Sequence, residues 1–298
     1  MKPSPQAVSA EHGGHTVDAI PVSGRPIGSL MREACELSDD QIEQIVAYQR
    51  ARGMRFGEAA VALRMVDRND VLEALSRQFE YTSGFAGREV DGELVAAADP
   101  FSDQADAFRE LRSRLLLEVL GERARCALAV VSPDVGDGKT YLAANLAVAF
   151  SQLGERTLLI DADIRTPRQH RLLGVEQGAG LSSVLAGFAQ ASRAVHAVPG
   201  LPNLCLLPGG AVPPNPLELL QRPAFALLIH EMLQKFAHVV LDTPAATRGA
   251  DSRVIASRCS AVLVVARRGR SRMAPLEGLV AALSRGSAKI AGVVMNEH

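Results

Sequence analysis

The sequence predicts an α/β protein: an open, mostly parallel sheet flanked by helices, preceded by a small helical tandem-repeat domain. Three observations predict it. From about residue 101, short apolar runs alternate with helical stretches. Those runs lack polar alternation, so both faces of each strand must be covered, as in a parallel sheet with helices on either side. Residues 25–82 repeat themselves at an offset of 29, each copy reading as two helices around a turn. Strands joined by right-handed helical crossovers build one sheet, and ligands of such sheets bind at the carboxyl ends of the strands. At roughly 100–200 residues per domain, 298 residues make about two domains, and a hydrophobic fraction of 47% excludes a wholly disordered chain.

In chain order, residues 1–24 are rich in Ser, Gly, Pro, His and Ala and read as a disordered tail. Within the repeat, Gly28 aligns with Gly57 and Gln49 with Gln78; between them Leu37 matches Val66, Ile42 matches Val71 and Val46 matches Leu75. Ser38-Asp39-Asp40 and Asp67-Arg68-Asn69-Asp70 open the second helix of each copy. Residues 83–100 carry Gly, Asp and Pro and read as a linker. The domain over 101–298 offers strand runs at Cys126–Val131, Thr157–Ile160, Leu204–Leu207, His238–Leu241, Ala261–Ala266 and Ile290–Met295. Its helices are expected at Thr140–Gln152, Ala224–Phe236, Ser252–Arg258 and Pro275–Leu283.

Composition excludes several classes of function. Net charge is −1, which does not suit a protein that coats nucleic acid over its whole area. With no Trp, three Tyr and nine Phe, the chain lacks the aromatic platforms that stack single-stranded bases. The cysteines Cys35, Cys126, Cys205 and Cys259 show no zinc-ligand spacing and no disulfide framework, and the last three lie in or beside apolar stretches as small core residues. No apolar leader and no run approaching 18 residues is present, so a cytoplasmic protein is expected, with membrane association only through a partner.

Chemistry is expected just past the strands. The first run leads into Ser132-Pro133-Asp134-Val135-Gly136-Asp137-Gly138-Lys139-Thr140 and then a helix. Glycines let backbone N–H groups approach phosphate oxygens, and the helix N-terminus adds partial positive charge. Lys139 would reach the β- and γ-phosphates and the Thr140 hydroxyl would ligate Mg²⁺. The strict GxxxxGK[ST] spacing fails at Pro133, so placement between strand and helix carries this reading. The second run exits into Asp161-Ala162-Asp163-Ile164-Arg165, whose two carboxylates at i and i+2 point the same way. That arrangement suits one metal-linked carboxylate and one neighbour that polarises a hydroxyl. Asp242, followed by Thr243-Pro244, ends a third apolar run and fits a magnesium-holding Walker-B aspartate. Three such features at three strand ends predict a Mg²⁺–ATP site. No guanine-reading NKxD-like segment occurs, Met295-Asn296-Glu297 not being one. Arg267, Arg268, Arg270 and Arg272 form a basic patch after the fifth run, either a solvated loop or a contact for phosphate, a partner or a membrane surface.

On these motifs, residues 101–298 resemble the cytoplasmic domain of bacterial tyrosine kinases, the P-loop family of exopolysaccharide and capsule assembly, and within it the EpsG-type chain-length-determinant kinases; the wider relatives are MinD/ParA-like ATPases. The family's DxDxR motif matches Asp161, Asp163 and Arg165, with Pro167 following; its Walker B matches Asp242-Thr243-Pro244, with Ala245 where a second proline is common; Pro208–Leu220 resembles a further typical stretch. The resemblance implies a protein-tyrosine kinase. It implies catalytic roles for Lys139, Asp161 and Asp163 and metal binding by Thr140, Asp161 and Asp242. Nucleotide contacts would come from Val135, Gly136, Asp137, Gly138, Lys139, Thr140, Tyr141, Arg165 and Asn296. It further implies homo-oligomers through Asp106, Arg109 and Arg112, which resemble the family's ExxRxxR motif, and a membrane-bound chain-length determinant as partner. Two departures bear on this. Asp134 stands where the MinD/ParA switch ATPases carry a lysine, which favours the kinase branch over a non-kinase ATP switch. The clustered C-terminal tyrosines of the family are absent from this sequence, whose tyrosines are Tyr48, Tyr81 and Tyr141, so the acceptor is expected on another subunit, with Tyr81 at the start of the linker as the one alternative in this chain.

Residues 26–78 resemble the MshE-type N-terminal domain of type II secretion and pilus ATPases, in which paired motifs opened by Arg-Leu-Gly and closed by Gln bind cyclic di-GMP. Here Arg55-Phe56-Gly57 runs to Leu75 and Gln78, and Pro26-Ile27-Gly28 runs to Val46 and Gln49. Pro26 replaces the first arginine, with Arg25 adjacent, and the mid-motif glycine is Cys35 in one copy and Arg64 in the other. Two implications stay open: binding of cyclic di-GMP, and docking of a partner protein.

Overall fold

The structure, a computed structural model of the full chain, describes residues 27–67, 70, 71, 74, 92–100, 102–121 and 125–297. The expected tail, Arg25, Pro26, Leu75, Gln78, Tyr81 and residues 83–91 of the expected linker lie outside the described residues. The chain divides into two units, Met1–Phe79 and Glu80–His298.

The first unit contains helices α1 (Ile27–Ala34), α2 (Asp39–Arg52) and α3 (Phe56–Ala62). Ser38 caps α2: its hydroxyl accepts from the Gln41 N–H at 3.3 Å while the Gln41 side chain accepts from the Ser38 N–H at 2.9 Å. Asp67 and Asp70 exchange the same pair of bonds at 2.8 and 2.9 Å. At the offset of 29, Ser38 corresponds to Asp67 and Gln41 to Asp70, so the repeat extends to its capping chemistry. It also extends to the core, where buried Met31, Leu37 and Ile45 correspond to buried Ala60, Val66 and Ala74.

The second unit is built on a seven-stranded sheet in the order β3-β4-β2-β5-β1-β6-β7, with β1 (Cys126–Val131), β2 (Thr157–Asp161), β3 (His196–Val198), β4 (Leu201–Leu207), β5 (His238–Asp242), β6 (Ala261–Arg267) and β7 (Lys289–Asn296). Every pairing is parallel except β3 with β4. Alternation along β1 explains its unbroken apolar run: Leu128 and Val130 enter the core on one face, Ala127, Ala129 and Val131 the core on the other. One face carries α5 (Asp103–Arg114), continued by a π-helical turn over Leu115–Leu120, and α6 (Lys139–Ser151). The other carries α11 (Pro223–Lys235), α12 (Asp251–Ala256) and α13 (Met273–Leu283). Ala143, Ala144, Ala147 and Ala149 are fully buried on α6, and their small side chains let it lie close against the strands.

Two expectations change. Residues 92–100 are not a linker: Leu94, Ala96 and Ala97 are buried, and the short helix α4 (Val95–Ala98) is clamped onto α6. Asn145 accepts from the Ala96 N–H at 2.9 Å and donates to the Glu93 carbonyl at 2.7 Å, and Gln152 donates to the Ala96 carbonyl at 2.9 Å. Gly, Asp and Pro marked a turn correctly, but the alanines between them are core residues. The second change adds elements. β3 and the four- to six-residue helices α7 (Gln169–Leu172), α8 (Leu181–Leu185), α9 (Ala191–Ala194) and α10 (Pro216–Gln221) are too short to display a period in sequence.

Candidate active site

The exits of β1, β2 and β5 converge, because these strands are neighbours in the sheet. Asp161 ends β2, Asp242 ends β5, and the two are register partners, which places them side by side on adjacent strands. Both are essentially buried. One oxygen of each is partnered: Asp161 Oδ2 accepts from the Arg168 and Gln169 backbone N–H groups at 2.9 and 3.0 Å, and Asp242 Oδ2 accepts from Gln169 Nε2 at 2.9 Å. The Thr140 side chain is close enough to Asp242 to favour its charged form. The other oxygen of each, Oδ1, is buried with no hydrogen-bond donor among the described residues. Burial, and then the Asp242 charge, push the Asp161 carboxyl well above the usual carboxylate range. Burial likewise lifts Asp242 to about 6, against the opposing pull of Lys139. Two carboxyl oxygens on adjacent strand ends, without donors among the described residues and close to the Thr140 side chain, fit a hard divalent cation, which prefers oxygen ligands and favours their ionised form.

A cleft of about 630 Å³ is lined by Thr140 and Arg168, neighbours of this pair, but by neither aspartate itself. Val135, Gly136, Gly138, Lys139, Thr140, Tyr141, Asp163 and Asn296 line it, together with Glu93, Thr166, Arg168, Ala245, Arg248 and Arg267. Gly136 and Gly138 adopt φ of 85° and 100°, and a Cβ at Gly138 would stand 2.1 Å from Asn296 Nδ2, so the loop requires glycine there. Asn296, at the end of β7, donates to the Asp137 carbonyl at 3.0 Å, and Arg267, at the end of β6, donates to the Gly136 carbonyl at 3.1 Å. The loop is therefore braced by two strand ends as well as by α6. Lys139 is 7% exposed and opens α6 from inside the cleft. Asp163 receives hydrogen bonds from the Arg165 and Thr166 N–H groups and the Thr166 hydroxyl, which fixes the turn leaving β2. Pro208-Gly209-Gly210 backs this turn: a Cβ at Gly209 would stand 2.7 Å from Pro167 Cβ.

Several expected site residues stand elsewhere. The Asp137 side chain is fully buried and braces the loop, accepting from the Asp134 N–H and the Ser271 hydroxyl, both at 2.8 Å. Arg165 does not line the cleft; its guanidinium grips buried Asp251 through two bonds of 3.1 and 3.2 Å. Tyr141 lines the cleft but packs edge-on against Phe108, and burial, then Glu93, raise its hydroxyl above the usual range. Arg112 is buried and donates to the Ala149 carbonyl at 2.7 Å, and Arg109 pairs with Asp106 at 2.6 Å and bonds the Pro100 carbonyl. The two arginines are thus committed within their own chain, while Asp106 is 70% exposed. Of the basic patch, Arg267 reaches the cleft and Arg268 pairs with Glu297. Sequence reasoning missed Arg168 and Gln169, whose only signal was nearness to the Asp161–Arg165 motif.

Comparison with known proteins agrees with this geometry. Residues 128–298 match the CobQ/CobB/MinD/ParA nucleotide binding domain family. Tyrosine-protein kinase Wzc of Salmonella typhimurium is 32% identical over 210 residues, which cover 70% of this chain but 29% of that protein. Tyrosine-protein kinase YwqD of Bacillus subtilis is 30% identical over 210 residues, covering 70% of this chain and 88% of that one. The solved kinase domain of Escherichia coli tyrosine kinase ETK superposes with a TM-score of 0.66 at 28% identity, over 70% of this chain and 81% of that one. Through its α/β unit, then, the chain belongs to the CobQ/CobB/MinD/ParA nucleotide-binding family, in the branch of the bacterial tyrosine kinases.

Proposed function

We propose that the chain is an ATP-dependent protein-tyrosine kinase of the EpsG type, acting in exopolysaccharide chain-length control and export. The observation that carries this is the pair of buried oxygens of Asp161 and Asp242, donorless among the described residues, on adjacent strand ends with Lys139 and Thr140 close to Asp242. In this reading Gly136, Gly138 and Lys139 hold the phosphates, and Thr140, Asp161 and Asp242 hold Mg²⁺, which supplies positive charge against the phosphate oxygens. Asp163 lines the cleft, as Glu93 does, and of the two it leaves the strand end that carries Asp161, so we assign it to meet the incoming tyrosine. The tyrosine oxygen forms its bond to the γ-phosphorus, the bond to the bridging oxygen breaks, ADP leaves, and the hydroxyl proton passes to Asp163.

Tyr48 and Tyr141, the two described tyrosines, are both partly buried. We assign the acceptor to another chain, a second copy or a membrane-bound chain-length determinant that recruits this cytoplasmic protein to the inner membrane, with Tyr81, outside the described residues, as the alternative in this chain. Of the expected oligomer contacts, exposed Asp106 is the one best placed to meet a neighbour. For the N-terminal unit we propose an MshE-like docking module. Cyclic di-GMP is the second reading there, favoured by φ of 55° at Arg64, the position where the resembled motif carries glycine. Titration of cyclic di-GMP into the chain separates the two readings.

Incubation with γ-labelled ATP, Mg²⁺ and the membrane partner tests the kinase assignment, with Lys139→Met as control. Label on tyrosine that vanishes in the variant is expected. Hydrolysis of ATP without labelled tyrosine would replace the kinase with a MinD/ParA-like switch.

A further inference from the structure

We propose that Gln169 is a positioning residue of the magnesium site, holding the Asp242 carboxylate and the first turn of α6 in the arrangement that receives a hydrated divalent cation. The proposal rests on the nucleotide reading above. Gln169 follows the β2 exit by eight residues and is fully buried. Its backbone N–H donates to Asp161 Oδ2 at 3.0 Å, and its side-chain Nε2 donates both to Asp242 Oδ2 at 2.9 Å and to the Thr140 carbonyl at 3.0 Å. One residue thus touches the end of β5, the exit of β2 and the helix that follows the phosphate loop.

Both partners of the side-chain nitrogen are acceptors, which fixes the orientation of the amide. Its oxygen, Oε1, is then left buried without a donor, as are Asp161 Oδ1 and Asp242 Oδ1. An ordinary structural glutamine satisfies both ends of its amide. A cation and its water O–H groups would satisfy these three acceptors, which have no donor among the described residues. Mg²⁺ supplies both, because it dehydrates reluctantly and keeps several of its waters. Gln169 would thereby fix which oxygen Asp242 presents and would accept from a metal-bound water, the outer-sphere role that commonly tunes metal affinity 10–100-fold.

The test is calorimetric titration of ADP into the full chain, in Mg²⁺ and in EDTA, for wild type, Gln169→Met and Gln169→Asn. Methionine keeps the volume without the amide; asparagine keeps the amide but falls one methylene short of spanning both partners. The gain in ADP affinity on adding Mg²⁺ is expected to shrink about 10–100-fold in Gln169→Met, beyond any loss seen in EDTA, and less in Gln169→Asn. An undiminished magnesium gain in a folded variant overturns the proposal. So does an equal loss in Mg²⁺ and EDTA, or unfolding of both variants, either of which makes Gln169 a structural brace. Failure of wild type to bind ADP at all overturns the nucleotide reading itself, and the proposal with it.

Discussion

At the scale of single residues, two carboxylates on one motif have unlike surroundings and so unlike roles. Asp161 is walled in beside Asp242, whereas Asp163 two residues later lines the cleft. Asp163→Asn is therefore expected to leave ADP affinity unchanged and to slow tyrosine phosphorylation about 10²–10⁴-fold, the span of a lost general base; calorimetry and initial rates check the split. Arg64 sits at φ 55°, a left-handed conformation that costs a residue with a Cβ roughly 1–2 kcal/mol. Part of that cost is offset when glycine enlarges the freedom of the unfolded chain. Arg64→Gly should thus stabilise the N-terminal unit by about 0.5–1 kcal/mol, read from the urea midpoint. That Asp161 and Asp242 meet at one end of the sheet was legible because each ends an apolar run, and the topology of a parallel sheet gathers polar groups at such ends. Arg165 and Arg112 were not. Their partners, Asp251 and the Ala149 carbonyl, lie 86 and 37 residues away in the chain, and no local pattern announces such pairings.

At the scale of elements, the phosphate loop is shaped as much by β6 and β7 as by its own glycines. Gly138→Ala would force a methyl against Asn296 in a backbone region hostile to side chains, a strain of roughly 1–3 kcal/mol. ADP affinity should fall more than tenfold, as measured by calorimetry; an unchanged affinity would mean that the brace from β7 is dispensable. At the start of β5, His238 is buried and stacks on Phe150 with centroids 4.5 Å apart. Burial lowers its pKa below 6.5, more than exposed Glu155 at 3.7 Å raises it. The folded state thus resists protonation, and the stability His238 contributes is present above pH 6.5 and lost as pH falls through its lowered folded pKa. His238→Phe, which keeps an aromatic ring there, should flatten the fall in thermal midpoint between pH 7 and 5. The six parallel strands were legible from unbroken apolar runs. Strand β3 was not, because His-Ala-Val is three residues long and only its valine is buried.

At the scale of the whole molecule, the sequence describes two kinds of order. The N-terminal unit repeats both its caps and its core at one offset, so its architecture was visible as self-similarity. The α/β unit has no repeat; its site exists only because β1, β2 and β5 lie side by side, an order no local pattern encodes. Among the described residues no helix is long and apolar enough to cross a membrane. The central claim is that Thr140, Asp161 and Asp242 complete one magnesium–nucleotide site with the phosphate loop. Electron paramagnetic resonance with Mn²⁺ in place of Mg²⁺ tests it most directly. Wild type mixed with Mn²⁺ and ADP should show ³¹P couplings from the nucleotide phosphate to the bound metal, and Asp242→Asn should lose them. Bound ADP without such coupling in wild type, or coupling unchanged in both Asp161→Asn and Asp242→Asn, would contradict the account.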